Sequence, residues 1–451
     1  MNRQSGPDDP LPSAPSMTPR SHPPRRVHLF SSLRERNYRL FFAGRLLVNT
    51  GTWVQRIAQD WLVLTLTDSA TAVGITTALQ FLPTLLFGLT GGWIADRWPK
   101  RRVLLITQST MGLTAAALAA LTLSGQVTVW HVYVIACTLG TATAIDEPAR
   151  QAFVNELVGP HNLRNAIGLN ASAWQFGALI GPALSGALMA NVGTGYAFAI
   201  NALTYLAPLG SLLLIRPHEL HRSSMPPTSD RRLREALRHL TENRTLLWPI
   251  LLVGAFGLFT ISLPVTLASY AKSVLHADAG GYGLLSAATA AGALVGALIA
   301  AYRPRTTQRA LFGIGGALAV LYMGASLATG PWALAVFLAP MGATTTLLNT
   351  ATNTAVQIGA PEAFRGRLMG VYVLVFVGSG ALGGPLLGAI NQTFGPRTAL
   401  LMAGAVPAIC ATILWLTRPS RQMPSAAPDF HRSLVVARST QQVRPRGRKF
   451  G

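Results

Sequence analysis

The first long apolar stretch of the chain carries two side chains that can take part in proton transfer. Arg56 and Asp60 lie four residues apart in this stretch. On a helix that spacing places both groups on one face, and an ionisable group inside a membrane span is costly enough to indicate function. Two interpretations stay open. The two charges neutralise each other as a structural pair, or Asp60 exchanges a proton while Arg56 tunes its affinity for it.

Further polar and aromatic side chains occur in the other apolar stretches. Those predicted to line a substrate cavity are Trp53, Gln80, Trp174, Gln175, Asn349, Asn353 and Tyr372. Asn349 and Asn353 share one helical face, and an amide in a span either holds a substrate or joins two helices. The aromatic side chains also have an alternative role, because aromatics in membrane helices often pack on neighbours or lie at interfaces.

The composition indicates which elements must position these side chains. Half of the 451 residues are hydrophobic and only 12% are charged, about half the charged fraction of a typical soluble domain. The apolar stretches predict an all-α membrane protein with twelve transmembrane helices. The predicted spans are 38–66, 72–95, 102–124, 128–149, 164–190, 194–215, 246–271, 282–302, 309–329, 332–358, 367–390 and 396–416.

The charge distribution predicts the orientation of the chain. The net charge is +21, but it lies in the tails and short loops, which argues against a nucleic-acid partner. One set of loops contains Arg97, Lys100, Arg101, Arg102, Arg150, Arg231, Arg232, Arg234, Arg238, Arg303, Arg305, Arg309 and Arg365, and the other contains only Lys272 and Arg397. We therefore expect both termini to be cytoplasmic. The predicted domains are a disordered arm (1–37), a first six-helix half (38–215), a cytoplasmic central loop (216–245), a second half (246–417) and a disordered basic tail (418–451).

A sequence repeat relates the two halves. Residues 177–184 read GALIGPAL, and residues 380–387 read GALGGPLL about 203 positions later. The two segments fall in the fifth and eleventh predicted spans, so the halves are predicted to be parallel repeats with a binding site between them near the membrane midplane. Proline kinks a helix and glycine permits close packing. Gly177, Gly181, Pro182, Gly384 and Pro385 are therefore candidate hinge residues, with a simple packing kink as the alternative.

The connection between the second and third spans resembles a known family signature. Residues 92–102 read GWIADRWPKRR, which is similar to the signature loop of the major facilitator superfamily. Ile94 and Pro99 depart from its pattern. The phrases WVQR at 53–56, DWLVLTLT at 60–67 and DEPARQ at 146–151 resemble the bacterial branch of the superfamily that holds the enterobactin exporter and related transmembrane secretion effectors.

The resemblance implies a cytoplasmic gate. Gly92, one turn after Gly88, would let two helices approach closely, and Asp96 would lie against the start of the eleventh span. Arg97 or Arg101 could then pair with Asp146 or Glu147, beside Arg150, and hold the halves together until the cytoplasmic side opens. The alternative is that the basic residues only fix the topology. The fifth-span motif is also similar to the antiporter motif of exporters in this superfamily.

No motif in the sequence points to catalysis. The two cysteines, Cys137 and Cys410, lie in separate apolar stretches, and neither a metalloprotease motif nor a nucleophile elbow is present. We expect no cofactor, no metal and no enzymatic activity. The predicted function is proton-coupled export of a small amphiphilic or drug-like molecule from a bacterial cell, across the cytoplasmic membrane, by a monomer that alternates access. An importer of the same fold and a non-transporting receptor or scaffold are the alternatives.

Overall fold

The computed structural model describes residues 30–221, 231–302, 307–361 and 364–416, and within these ranges it contains helices and no β-strand. The helices are α1 (Arg36–Thr67), α2 (Ala70–Arg97), α3 (Lys100–Leu123), α4 (Val129–Gly159), α5 (His161–Val192), α6 (Thr194–Leu214), α7 (Arg231–Glu242), α8 (Arg244–Ser273), α9 (Ala279–Tyr302), α10 (Gln308–Ser326), α11 (Pro331–Gly359), α12 (Arg365–Phe394) and α13 (Pro396–Leu416). The tail at 418–451, most of the arm at 1–37, and Arg303 and Arg305 lie outside the described residues.

Eleven of the described helices are long and apolar enough to cross a membrane. Helix α1 has 32 residues, which is more than a bilayer requires. It carries Arg45, Arg56 and Asp60 and is therefore less apolar than the others. The all-helical membrane fold is confirmed, and the twelfth crossing stays a prediction.

Three boundaries differ from those that the sequence predicts. The disordered arm was predicted to extend to residue 37, but Ser31–Arg34 forms a 3-10 helix and α1 begins at Arg36. Ser32 anchors this segment, since its backbone N–H donates to Asn165 Oδ1 and its hydroxyl donates to the Asn162 carbonyl. The predicted central loop contains the polar helix α7. Helix α4 continues ten residues beyond the predicted end at 149, as far as Gly159, where φ is +64°.

The two halves use the same helix pairs. Helix α5 packs on α1 where a Cβ on Gly181 would lie 2.3 Å from Trp53 Cβ, and α12 packs on α8 where a Cβ on Gly383 would lie 2.0 Å from the Leu258 carbonyl oxygen. Helices α4 and α2 likewise match α11 and α9, with close approaches at Gly140 in the first half and Gly342 in the second. Such approaches need residues without a side chain.

The helix ends repeat as well. Gly193 ends α5 with φ +89° and Gly395 ends α12 with φ +82°, a conformation that glycine adopts at little cost. Each is followed at once by the last spanning segment of its half, which starts at Thr194 or Pro396. This agreement supports two parallel halves and places α1, α2, α4 and α5 opposite α8, α9, α11 and α12.

Candidate functional site

The two halves are in contact at one end of the bundle, which we call the Asp68 end. There α2 and α12 cross so closely that a Cβ on Gly74 would lie 2.2 Å from the Gly384 carbonyl oxygen. A Cβ on Gly388 would lie 2.7 Å from the Ala70 carbonyl oxygen, and the Ala70 N–H donates to Gln392 Oε1. Helices α5 and α9 meet in the same way at Gly186 and Gly283.

Polar contacts add to this closure. Lys272 at the end of α8 pairs with Asp68 Oδ1 at 2.9 Å and donates to the Leu64 carbonyl at 3.1 Å. The Tyr282 hydroxyl of α9 donates to Asp60 Oδ2 at 3.4 Å, and the Tyr282 ring stacks on Trp61. All of these contacts join the first half to the second.

The opposite end, which we call the Asp96 end, has no such contacts at the glycines that face the other half. A Cβ added to Gly88 or Gly92 of α2, or to Gly366 or Gly370 of α12, would meet nothing within 4 Å. The halves therefore separate toward the Asp96 end, and we infer a cavity between them that is open there. The contacts between α2 and α12 continue past Gly380, where a Cβ would lie 3.0 Å from the Phe81 ring, as far as Gly378, where a Cβ would lie 3.5 Å from the Leu85 side chain.

Asp60 and Arg56 do not form the predicted structural pair. No ion pair within 4.0 Å joins them in the described part of the chain. Asp60 is 8% exposed, and its carboxylate accepts a hydrogen bond from Tyr282 across the interface between the halves. The Arg56 guanidinium lies instead among aromatic rings, 5.4 Å from Trp53, 5.6 Å from Phe81 and 6.0 Å from Trp174. The two charges are therefore not in direct contact, although they still interact electrostatically at longer range.

The predicted cavity residues divide into two groups. Trp53 and Trp174 are half-buried, with ring centroids 5.3 Å apart, and Gln80, Gln175, Asn349 and Asn353 are half-buried as well. The prediction that Tyr372 lines the cavity is wrong. Tyr372 is 5% exposed within the apolar core of the second half, and its hydroxyl donates to the Asn349 carbonyl. The ring therefore packs between helices and does not line the cavity.

Gly92 makes no close helix contact in this conformation, so its predicted role in a closed gate stays a prediction. Gly88 and Gly92 face open space, whereas a Cβ on Gly91 would lie 2.2 Å from the Ala144 carbonyl oxygen of α4. One residue corresponds to a 100° rotation around a helix, so the face of α2 that packs on α4 is not the face that carries Gly92. Asp96 and Arg97 are both exposed, and the Arg97 guanidinium lies 4.5 Å from the Trp93 ring.

The predicted ion pairs of the gate are also replaced by other contacts. Arg150 donates from Nε to Asp146 Oδ2 at 3.0 Å and from Nη2 to Glu147 Oε2, all within α4. Asp146 also accepts from Thr107 Oγ1 and Gln108 Nε2 of α3. This cluster therefore ties α3 to α4 and does not reach the loop at Asp96.

Arg101 has a structural role at the end of α6. Its guanidinium donates to the carbonyls of Leu212 at 2.7 Å and Leu213 at 3.1 Å. These carbonyls belong to the last turn of α6, where they have no partner inside the helix. Arg101 thus satisfies a helix terminus instead of pairing with Asp146 or Glu147.

The candidate hinge glycines are sites of close helix packing. A Cβ on Gly177 would lie 2.9 Å from the Asn49 backbone of α1, and Gly181 packs on Trp53 in the same interface. Gly384 has its close contact with Gly74, across the two halves. Pro182 and Pro385 lie within continuous helices, so whether these segments bend during transport stays a prediction.

Several residues of the site were not singled out from the sequence. Tyr282, Lys272 and Phe81 each lie more than 15 residues from any residue they contact here, so only the fold brings them together. Lys272 carried a usable signal, because it is one of only two basic residues assigned to its side of the membrane. The described residues contain no cluster of three or more His, Cys, Asp or Glu that could hold a metal ion.

This architecture is the fold of a membrane transporter of the major facilitator type. Solved structures with the same fold include a bacterial homologue of the lysosomal transporter Spinster, inward-facing and unoccupied, with TM-score 0.63, 16% identity, 84% of this chain and 95% of that chain covered. A bacterial homologue of the iron transporter ferroportin, also inward-facing, has TM-score 0.61, 17% identity, and 85% and 99% coverage.

The sequence comparison gives the family. The chain matches the transmembrane secretion effector family over residues 27–441, and it belongs to that family. The enterobactin exporter of Citrobacter koseri is 27% identical over 410 residues, covering 87% of this chain and 95% of the exporter. The staphyloferrin A transporter of Staphylococcus aureus is 29% identical over 232 residues, 50% of this chain and 58% of that protein. The chain is therefore a multi-pass membrane protein of a transporter family.

Proposed function

We propose that the protein exports a small amphiphilic molecule from the cytoplasm and that inward proton flow drives this export. Asp60 is the proposed proton carrier. The observation that carries the proposal is its position, since it is a buried carboxylate at the contact between the halves, where it accepts a hydrogen bond from Tyr282 of the other half. An ionisable group at the interface that must open and close is suited to couple protonation to conformational change.

The direction of transport is supported by the open end of the cavity. The Asp96 end carries the larger set of basic loops and is therefore the cytoplasmic side by the positive-inside rule. A substrate would enter from there while the Asp68 end is closed. The similarity to exporters named for enterobactin favours the same direction for this chain.

Alternating access would exchange the two sets of contacts. The crossings at Gly74 and Gly384, together with the bonds of Lys272 and Tyr282, would have to break when the Asp68 end opens. The glycine faces of α2 and α12 at Gly92 and Gly366 would then come together and close the Asp96 end. In the same step the Asp60 carboxylate would leave its buried contact with Tyr282 and become exposed to water.

The test uses purified protein in liposomes with an imposed pH gradient and a panel of amphiphilic compounds. We expect substrate-dependent collapse of the gradient for wild type and its loss for Asp60→Asn. Asp278→Asn is a matched control, because Asp278 lies at the same end but is exposed, where it accepts a hydrogen bond from the Gly281 N–H. It should behave as wild type.

Each outcome has a definite reading. Collapse that survives Asp60→Asn would keep proton antiport and remove Asp60 as the carrier. Substrate transport without any proton movement would overturn the coupling. Uptake of substrate into right-side-out vesicles along with protons would overturn export and favour an importer of the same fold.

A further inference from the structure

The environment of Arg56 indicates which substrates the cavity accepts. Its guanidinium lies within 6.0 Å of three aromatic ring centroids, those of Trp53 on α1, Phe81 on α2 and Trp174 on α5. We call these four residues the Arg56 box. Cation–π contacts of this kind contribute about 0.5–2 kcal/mol each, depending on desolvation, so the rings hold the guanidinium in place without neutralising its charge.

No carboxylate of the described residues lies within 4.0 Å of Arg56. Asp60, one turn further along α1, bonds to Tyr282 instead. Inside a membrane protein an arginine is normally paired with an anion or reaches the interface. Asp60 still acts on Arg56 electrostatically at longer range, but no carboxylate of the described residues is in direct contact with the guanidinium, so an anion that enters between the halves could approach it.

The box is reachable from the open end. Arg56, Trp53 and Trp174 are all half-buried, not fully buried. Phe81 faces Gly380 of α12, one turn before the last contact between α2 and α12 at Leu85. A ligand that enters from the Asp96 end would therefore reach the box close to the contacts between the halves.

The rest of the cavity offers little to a cationic ligand. In the first half, Asp146 and Glu147 already pair with Arg150. Residues 246–416, which form the second half, include only two acidic residues, Asp278 and Glu362. Asp278 lies outside the cavity, where it accepts from Gly281 at the start of α9. The side chains that the second half contributes are amides such as Asn349 and Asn353.

We propose that the Arg56 box binds the anionic group of an aromatic organic acid, and that organic anions are the substrate class of this transporter. A guanidinium presents two parallel N–H donors that match a carboxylate or a pair of phenolate oxygens. Trp53 and Trp174 supply ring faces on which an aromatic substrate stacks. The proposal rests on the transport function above only in taking this cavity as the substrate site.

The test measures binding, so it does not depend on transport. Isothermal titration of the purified full-length protein in detergent would compare 1-naphthoate with 1-naphthylmethylammonium, which has the same ring system and the opposite charge. Cyclohexanecarboxylate keeps the carboxylate and removes the aromatic ring. We expect 1-naphthoate to bind wild type at least about tenfold more tightly than either, the ratio that corresponds to one charge-assisted bidentate contact.

Variants assign the site. Arg56→Gln should weaken 1-naphthoate binding about tenfold or more, while Arg56→Lys, which keeps the charge but not the planar fork, should restore part of it. Arg309→Gln is the matched control, because Arg309 is exposed at the start of α10. Thermal unfolding would establish that each variant is folded. If Arg56→Gln does not fold, titrations of Arg56→Lys and Trp174→Leu with 1-naphthoate test the site instead. Both variants should bind 1-naphthoate more weakly than wild type.

The proposal is overturned if the cation binds as tightly as 1-naphthoate, if no probe binds, or if the folded Arg56 variants bind 1-naphthoate like wild type. Anion binding that depends on Arg56, combined with no proton movement in liposomes, would support the box and reject the proposed proton coupling. Proton-coupled transport of cations that does not depend on Arg56 would support the proton coupling and reject the box.

Discussion

The Tyr282 hydroxyl of the second half lies 3.4 Å from Asp60 Oδ2 of the first half and donates a hydrogen bond to it. Both residues are buried, and the Tyr282 ring also stacks on Trp61 at 5.8 Å. The contact joins the proposed proton carrier to the surface that must separate when the Asp68 end opens. Loss of this bond would therefore change the conformational equilibrium as well as the environment of Asp60.

Tyr282→Phe should populate the state that is open at the Asp68 end. The substitution keeps the stacked ring and removes one hydrogen bond, which contributes about 1 kcal/mol and so shifts the population by about fivefold. Double electron–electron resonance between spin labels at Gln126 and Thr329 would measure it. Both positions are exposed at the Asp68 end, one in each half. The background would carry Cys137→Ser and Cys410→Ser.

Asp278→Asn serves again as the control for this experiment, because it changes the same end without touching the contact between Asp60 and Tyr282. An unchanged distance distribution for Tyr282→Phe would show that the hydrogen bond does not hold the closed end.

Gly74→Ala and Gly92→Ala should shift the equilibrium in opposite directions. An alanine Cβ at position 74 would lie 2.2 Å from a backbone oxygen of Gly384, and such overpacking costs about 1–3 kcal/mol. It should open the Asp68 end. An alanine at position 92 meets nothing in this conformation but would obstruct closure of the Asp96 end, so it should favour the present state.

The same pair of spin labels would measure both glycine variants. Shifts in the same direction would contradict the proposal that α2 and α12 exchange contacts between the two ends.

Arg101→Gln should destabilise the protein without altering transport by the folded fraction. The guanidinium bonds to two carbonyls at the end of α6, and hydrogen bonds to charged groups contribute about 1.5–3 kcal/mol each. Thermal unfolding in detergent would show a lower midpoint. The neighbouring Arg102, which is exposed, provides Arg102→Gln as the control. A normal unfolding midpoint with lost transport would restore a gating role to Arg101.

Asp146→Asn should destabilise the first half more than Glu147→Gln does. The Asp146 side chain is 2% exposed and the Glu147 side chain is 47% exposed, although both pair with Arg150. Removing the buried partner leaves a desolvated guanidinium, which costs about 3–5 kcal/mol, whereas the half-exposed Glu147 carboxylate is partly screened by solvent, so its loss should cost less. Unfolding midpoints of the two variants would compare them. Equal midpoints would contradict the assignment of Asp146 as the principal partner.

Much of the fold could be predicted from local pattern. The apolar stretches gave the helices because a span must bury about 20 consecutive residues in lipid and satisfy its own backbone. The repeated Gly-Pro segments correctly indicated equivalent helices, and the structure adds Gly193 and Gly395 as equivalent ends. The polar helix α7 was missed, because no apolar periodicity marks it.

The site could be predicted less well. Arg56 and Asp60 were identified as unusual charges, but their relationship was not, because spacing along one helix does not say which neighbour each side chain meets. Gly92 was expected to pack in a gate that closes against the eleventh span, and this stays a prediction, while the contact of α2 with α4 at Gly91 was not foreseen. Asp146 was expected to pair with the loop at Asp96 and instead pairs within its own helix.

Composition and local pattern were enough to predict the class of the protein, its family, its parallel repeat and the order of its apolar helices. These properties depend on composition, local periodicity and short motifs, which are readable along the chain. Helix packing alone places Asp60 against Tyr282, Arg56 among three rings, and the two halves in contact at the Asp68 end. Those relationships join residues as far as 222 positions apart, and they follow from how the helices pack, which no local pattern encodes.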